Sequence, residues 1–149
     1  MGVTMTNDHH RTAAPGRGEE ILRGNGLKKT IGRVKIIEAL MAAGRPLAGS
    51  ELFAALGRDA MDQASVYRVL SVFTERRIVH RIDGTDKVAR YALNRGGVNH
   101  PHFTCRSCGR MDCLDKMPVP HLDIHREGYV VEQESLFLSG ICARCSKAR

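Results

Sequence analysis

The stretch ASVYRVLSVFTERRIVHRIDGTDKVARYAL, Ala64–Leu93, decides the fold. Val66, Val69, Leu70 and Phe73 recur at i, i+3, i+4 and i+7, which is the apolar stripe of a helix. Gln63, Tyr67, Arg68 and Ser71 fall on its opposite, polar face. The period then changes: Ile78–Ile82 alternates, and Val88–Leu93 follows as a second β candidate. Between them DGTD supplies the Asp-Gly chemistry of a hairpin turn.

Working outward, Val34, Ile37, Leu40 and Met41 mark an earlier helix that begins near Leu27 and is stopped by AAGRP. A short helix follows at about Ser50–Leu56, with Leu52, Phe53 and Leu56 facing inward, and GRDAMD makes a loop. Three helices followed by a hairpin is the order of a winged helix-turn-helix, whose third helix enters the major groove. Downstream, a strand is expected into Cys105 and another through Met111. PVP should open a short helix ending at Gly128, and a longer strand should run from about Tyr129 to Ser139. Strands around one helix, with an exposed edge, suggest a small dimerisation domain. The expected class is α+β: an N-terminal winged helix-turn-helix DNA-binding domain plus a C-terminal α/β dimerisation domain with a four-cysteine zinc site. The expected division is a flexible tail (1–16), the winged helix (17–93), a hinge at NRGGV (94–98) and the dimerisation and metal-binding domain (99–149).

Composition bounds the function. The 149 residues are 42% hydrophobic and 26% charged, with a formal net charge of +7. Residues 17–98 hold 15 lysines and arginines against 9 carboxylates, so nearly all of the excess lies in the helical half. A nucleic-acid surface is the natural reading of that asymmetry, with ordinary solubility charge as the plainer one. No run approaches the ~18 apolar residues of a membrane span, and the first residues lack the apolar core of a secretory signal. A cytoplasmic protein is expected, with neither a membrane nor a small-molecule substrate as partner. No phosphate loop, nucleophile elbow or HExxH helix is present, so an enzyme is not expected.

The five cysteines carry the chemistry. Cys105-x-x-Cys108 and Cys142-x-x-Cys145 have the spacing that turns two thiolates of a pair toward one tetrahedral Zn²⁺. Four thiolates close the shell, so such a site is structural. In a domain of about 50 residues, whose core alone is marginal, zinc supplies stability. Cys113 is left over, and with His80, His100 and His102 it forms a second candidate set. His100 and His102 alternate and so point to one side of a strand. Imidazole and thiolate donors suit Zn²⁺ and suit oxygen-seeking metals poorly. On the residues alone, solvent histidines and one small buried thiol are the simpler account of this set. His121 and His125, at i and i+4, are read as surface residues. On the third helix, Arg68 has the donors for guanine and Tyr67 the aromatic edge for a thymine methyl. A solvated helix face is the alternative.

Taken together, GLKKTIGRVKIIEAL, ASVYRVLSVFTERRIVHRI, HPHFTCRSCGRMDCLD and SLFLSGICARC resemble the ferric uptake regulator family of bacterial repressors, over Gly26–Cys145. The resemblance implies a homodimer that binds an inverted-repeat, double-stranded DNA operator when a regulatory metal is present. It matches Tyr67 and Arg68 to base-contacting residues, Arg33 to the arginine of the first DNA-contacting helix, and Lys28 or Lys29 to a basic residue that reaches the minor groove. The four paired cysteines match the structural zinc site. His100 and His102 fall on the family's histidines, Cys113 falls where relatives place a carboxylate ligand, and His80 falls where zinc-responsive relatives place a wing ligand. This set looks like the zinc uptake regulator branch, with Zn²⁺ both structural and regulatory. There are departures: Asn99, Pro101 and Pro46 stand where iron-type members carry ligands, and no thiolate lies on the second wing strand around Ala89–Tyr91. The expected function is zinc-responsive repression of zinc uptake genes. The rivals are an iron or peroxide sensor on the same scaffold, a zinc-ribbon adaptor that binds protein, and an enzyme using a reactive thiol at Cys113.

Overall fold

The computed structural model describes residues 16–94, 100–120, 128–130 and 135–148. The first unit is built of α1 (Arg17–Gly24), α2 (Ile31–Ala43), β1 (Leu47–Ala48), α3 (Gly49–Leu56), α4 (Gln63–Glu75), β2 (Val79–Asp83) and β3 (Ala89–Leu93). Its three strands order as β1-β3-β2, antiparallel throughout. This is the expected winged helix, with α4 as recognition helix and β2–β3 as wing.

The ends of the helices follow from local chemistry. Thr30 Oγ1 accepts from the Arg33 amide at the start of α2, and Gly44, at φ 61°, ends it in the left-handed conformation. Asp62 caps α4, its Oδ1 accepting from Ser65 N at 2.8 Å. Glu51 reaches back to the Ala48 amide at 2.8 Å and so fixes the start of α3. The stripe read from the sequence is buried as expected: Val66, Leu70 and Phe73 are fully enclosed with Ile36, Ile37, Leu40 and Leu52. Gln63, Tyr67, Arg68 and Ser71 stay exposed on the other face.

Several expectations need correction. The helix expected from Leu27 begins at Ile31, because Thr30 is its cap. An additional helix, α1, precedes it and buries Leu22 completely in the core. β1 adds a short third strand beside the wing.

The second unit is a sheet of β4 (His102–Cys105), β5 (Met111–Cys113) and β6 (Phe137–Gly140), in the order β5-β4-β6. β4 pairs antiparallel with β5 and parallel with β6. Of the strand expected over Tyr129–Ser139, residues 131–134 lie outside the described residues; Tyr129, Val130, Ser135 and Leu136 are not strand, and β6 starts at Phe137. Here parallel pairing to β4, rather than apolar alternation, sets the bounds. Pro118–Pro120 are not helical, and the rest of the expected PVP helix lies outside the described residues. So do the 1–15 part of the tail, most of the hinge (95–98), Asn99, and His121 and His125. A short α5 (Ala143–Lys147) follows the last C-x-x-C pair's first cysteine, Cys142, which sits at its N-cap.

Phe73 is fully buried at the centre of the helical core. Phe73→Ala is expected to cost about 3–5 kcal/mol, read as a fall in the denaturant midpoint of the winged-helix unit.

Candidate metal centres and nucleic-acid face

Two clusters of ligand-type side chains form among the described residues. In the first, the thiols of Cys105, Cys108, Cys142 and Cys145 all lie within 4.8 Å of one another. β4 delivers Cys105 and the turn after it delivers Cys108. That turn is pinned by Gly109 N to Cys105 O at 2.9 Å and Cys105 N to Arg110 O at 2.8 Å. Pairing of Cys105 with Gly140 in β6 brings the second pair alongside. The Cys142 amide donates to Cys105 Sγ at 3.3 Å, and Cys108 and Cys142 sulfurs stand 3.9 Å apart.

The electrostatics fit a cation in this cluster. Donation from the backbone amides of Cys142 and Cys108 holds the Cys105 thiol down at about 6. The Arg110 amide likewise lowers Cys108. At Cys145 the Ser107 hydroxyl favours the thiolate, but crowding by Cys142, Cys108 and Cys105 outweighs it and pushes the group up to about 11. Four thiolates cannot share this volume unless a positive ion offsets their repulsion. The all-sulfur donor set suits tetrahedral Zn²⁺.

The second cluster is His100, His102 and Cys113, again with ligand atoms within 4.8 Å of one another. It follows from strand register: His102 stands directly opposite Cys113 across the β4–β5 ladder. The rings of His100 and His102 have centroids 4.7 Å apart, and His102 also stacks on Phe137 at 5.9 Å. His102 Nε2 is buried with no hydrogen-bond partner among the described residues. A buried imidazole nitrogen left in that state costs free energy unless an ion or a donor meets it. Burial, then the charges of His100 and His80, lowers His102 to about 4. The ring is therefore neutral near pH 7, the form that ligates metal.

His80, on β2, is half-buried and lies outside that group of three. Burial and then the proximity of His100 lower its basicity. Of the four residues expected in this site, the structure thus gathers three tightly and sets the fourth nearby.

The expected nucleic-acid residues lie on the first unit. Tyr67 is exposed, with its ring packed over Gly49, where a Cβ would sit 2.5 Å from Tyr67 Cε1. A side chain at position 49 would require the exposed Tyr67 ring to swing aside. Arg68 is exposed and held by Ser65 Oγ at 2.6 Å, itself bonded to Asp62. Arg33 donates to the Lys28 carbonyl at 2.9 Å, which joins two of the expected basic residues at the start of α2. Lys29 pairs with Glu19 of α1, a residue that sequence reasoning did not single out. Ile31, beside them, is 73% exposed although apolar.

Fold and clusters together define a metal-binding winged-helix protein. Comparison with known proteins makes the class specific. The sequence profile of the ferric uptake regulator family matches residues 24–138. The transcriptional regulator FurA of Mycobacterium tuberculosis is 34% identical over 134 residues, covering 85% of this chain and 88% of that one. The ferric uptake regulator of Vibrio cholerae superposes with a TM-score of 0.63 at 26% identity, over 83% of this chain and 98% of that one. The iron-containing regulator of Francisella tularensis gives a TM-score of 0.66 at 25% identity, over 81% and 96%. The chain belongs to the ferric uptake regulator family. Its members are metal-dependent, DNA-binding regulators of transcription, not enzymes. Among the described residues no helix is long and apolar enough to cross a membrane.

Cys142→Ser removes one of four thiols from the first cluster. It is expected to abolish tightly held zinc, measured by metal analysis after dialysis, and to lower the melting temperature. The free energy of structural zinc is folding free energy, roughly 10–16 kcal/mol in isolated finger peptides.

Proposed function

We propose that the chain is a zinc-responsive repressor. It would use Cys105, Cys108, Cys142 and Cys145 for a structural zinc, and His100, His102 and Cys113, joined by His80 from the wing, for the regulatory zinc. The observation that carries the reading is the group of two imidazoles and one thiolate within 4.8 Å, beside the wing. A thiolate in the second site favours a softer borderline ion over Fe²⁺ or Mn²⁺. The two solved structures named above carry ferric uptake regulation in their names, so the case for zinc rests on this chain's own donors. A zinc uptake regulator complexed with zinc and DNA also shares the fold, at 19% identity and a TM-score of 0.61, and at that identity supports the architecture only.

When bound, zinc supplies a cross-link between His80 of the wing and the β4–β5 ladder. His100, His102 and Cys113 hold one side of that link, and His80 brings the hairpin. Metal acts on DNA binding only by favouring the arrangement that fits the operator over the others. In this reading two protomers present Tyr67 and Arg68 of α4 to the halves of an inverted repeat. Arg33, Lys28 and Lys29 meet the backbone or minor groove beside it. The gene targets proposed are those of zinc uptake.

Cys113→Ser tests the sensory site. Wild type is expected to hold two zinc ions per protomer and the variant one. The variant's affinity for a duplex selected from a random pool by the zinc-loaded wild type should be about 5–150-fold weaker. Unchanged stoichiometry with unchanged affinity overturns the site. If Fe²⁺ or Mn²⁺ at cytosolic concentration activates as well as Zn²⁺, the iron reading replaces the zinc one.

Arg68→Ala is expected to weaken binding to that duplex about tenfold while leaving binding to unrelated DNA nearly unchanged. Lys28→Ala should instead weaken both and reduce the slope of log affinity against log salt by about one. A zinc-loaded protein with no salt-sensitive DNA binding at all would favour the protein-binding adaptor.

A further inference from the structure

The guanidinium of Arg90 is a buried group that neither the fold core nor either metal cluster uses. Its side chain is 3% exposed. It lies on β3 and grips Asp86 of the wing turn with two prongs, Nη1 to Oδ1 at 2.9 Å and Nη2 to Oδ2 at 2.7 Å. Nη1 also donates to the Val88 carbonyl at 3.2 Å. These contacts stay within the hairpin. One does not: Nη2 donates to the carbonyl of Gly109 at 2.6 Å. Gly109 belongs to the knuckle that carries Cys105 and Cys108, and its φ of 71° sets its carbonyl in a turn pinned by Cys105 O.

A second contact lies beside it. Gly84, at the wing turn, sits so close to fully buried Met111 of β5 that an added Cβ would come 2.8 Å from Met111 Cε. The same Cβ would lie 3.1 Å from Asp86 Oδ1 and 3.3 Å from Arg90 Nη1. The tip of the wing is therefore seated on the knuckle and on the start of β5.

The register relates this seat to the sensory cluster. Met111 pairs with Thr104, and Cys113 pairs with His102 two residues further along the same ladder. On the wing, Arg90 pairs with Ile82, and His80 lies two residues earlier on β2. The tip of the hairpin thus meets Met111 and Gly109, and His80 lies on β2 away from that tip.

We infer that Arg90 is a positioning residue: clasped to Asp86 and Gly109, it seats the wing on the structural-zinc knuckle and thereby holds His80 against the sensory cluster before the regulatory metal arrives. Loss of Asp86 would leave the buried guanidinium uncompensated, and loss of the Gly109 carbonyl would leave one of its donors unmet. Preformation of the seated wing raises apparent metal affinity, because less of the protein must be drawn from other arrangements. The metal consequence rests on the sensory reading proposed above; the seating of the wing does not.

The test uses the full chain with the structural four-cysteine site loaded with zinc. Amide hydrogen exchange is measured over Gly84–Val88 and Gly109–Met111 without the regulatory metal. The affinity for the second zinc is then measured by competition with a chromophoric chelator. Arg90→Ala is the direct variant. Gly84→Ala is an independent wedge, since Gly84 is outside the positive-φ region and alanine fits its backbone. Both are expected to exchange faster in both segments, to bind the second zinc about tenfold more weakly, and to reach the wild-type stoichiometry at saturating zinc. Should Arg90→Ala fail to fold, Arg90→Lys, which keeps the charge but not the two-pronged grip, takes its place beside Gly84→Ala. Exchange equal to wild type in both variants overturns the clasp. Faster exchange with an unchanged second zinc affinity overturns its link to His80. If wild type takes up no second zinc, the sensory reading fails, and exchange still decides whether Arg90 seats the wing.

Discussion

The pleat of β4 is the constraint on which the rest depends. Successive side chains of a strand point to opposite faces, so His102 and Thr104 share one face while Phe103 and Cys105 share the other. Within four residues the strand therefore serves two clusters without mixing their ligands. His102 meets Cys113 across the ladder, and Cys105 runs into the knuckle shared with Cys142. A shift of one residue in this register would exchange the faces and destroy both sites at once. The parallel pairing with β6 matters for the same reason, because Cys105 opposite Gly140 brings the distant pair of cysteines into place. At that pairing, Phe103 lies close enough that a Cβ on Gly140 would come 3.3 Å from its ring.

The face bearing His102, Thr104, Met111 and Cys113 is also the face met by the wing. Gly84 approaches Met111, Arg90 bonds to the knuckle, and His80 feels the charge of His100. Among the described residues the two units meet where Arg90 bonds to Gly109 and Gly84 lies against Met111. Such contacts are orientation-specific but modest in energy, which suits a junction whose geometry a bound ion can bias. On the helical side, Ile36, Leu52, Leu70 and Phe73 are fully buried in one core. α4 belongs to that core, and Tyr67 and Arg68 lie on its exposed face.

The sequence was most legible where period and chemistry agreed. The i, i+3, i+4, i+7 stripe of Val66, Val69, Leu70 and Phe73 located α4, and Asp-Gly located the wing turn. The spacing of Cys105, Cys108, Cys142 and Cys145 located a cluster that then formed as expected. Legibility failed where a tertiary partner decides the structure. α1 carries only two apolar residues together, Ile21 and Leu22, and becomes a helix because the core takes Leu22. β1 is two residues long and exists through Tyr91 and Arg90 of β3. The Tyr129–Ser139 stretch read as one strand, yet among its described residues pairing to β4 begins only at Phe137, where β6 lies alongside His102. In the sensory cluster, alternation placed His100 and His102 on one side, but only the ladder could reveal that Cys113 stands opposite His102. Arg90 gave no signal at all. An arginine in a wing strand reads as surface charge, and its burial follows from the knuckle, which is distant in sequence.

The most direct measurement is X-ray absorption at the zinc edge, on protein carrying first one and then two zinc ions per protomer. The first ion should show a shell of four sulfurs at about 2.3 Å. The difference spectrum for the second should show one sulfur at about 2.3 Å with imidazole nitrogens at about 2.0–2.1 Å. A second ion surrounded by nitrogen and oxygen alone would contradict a sensory site built on Cys113.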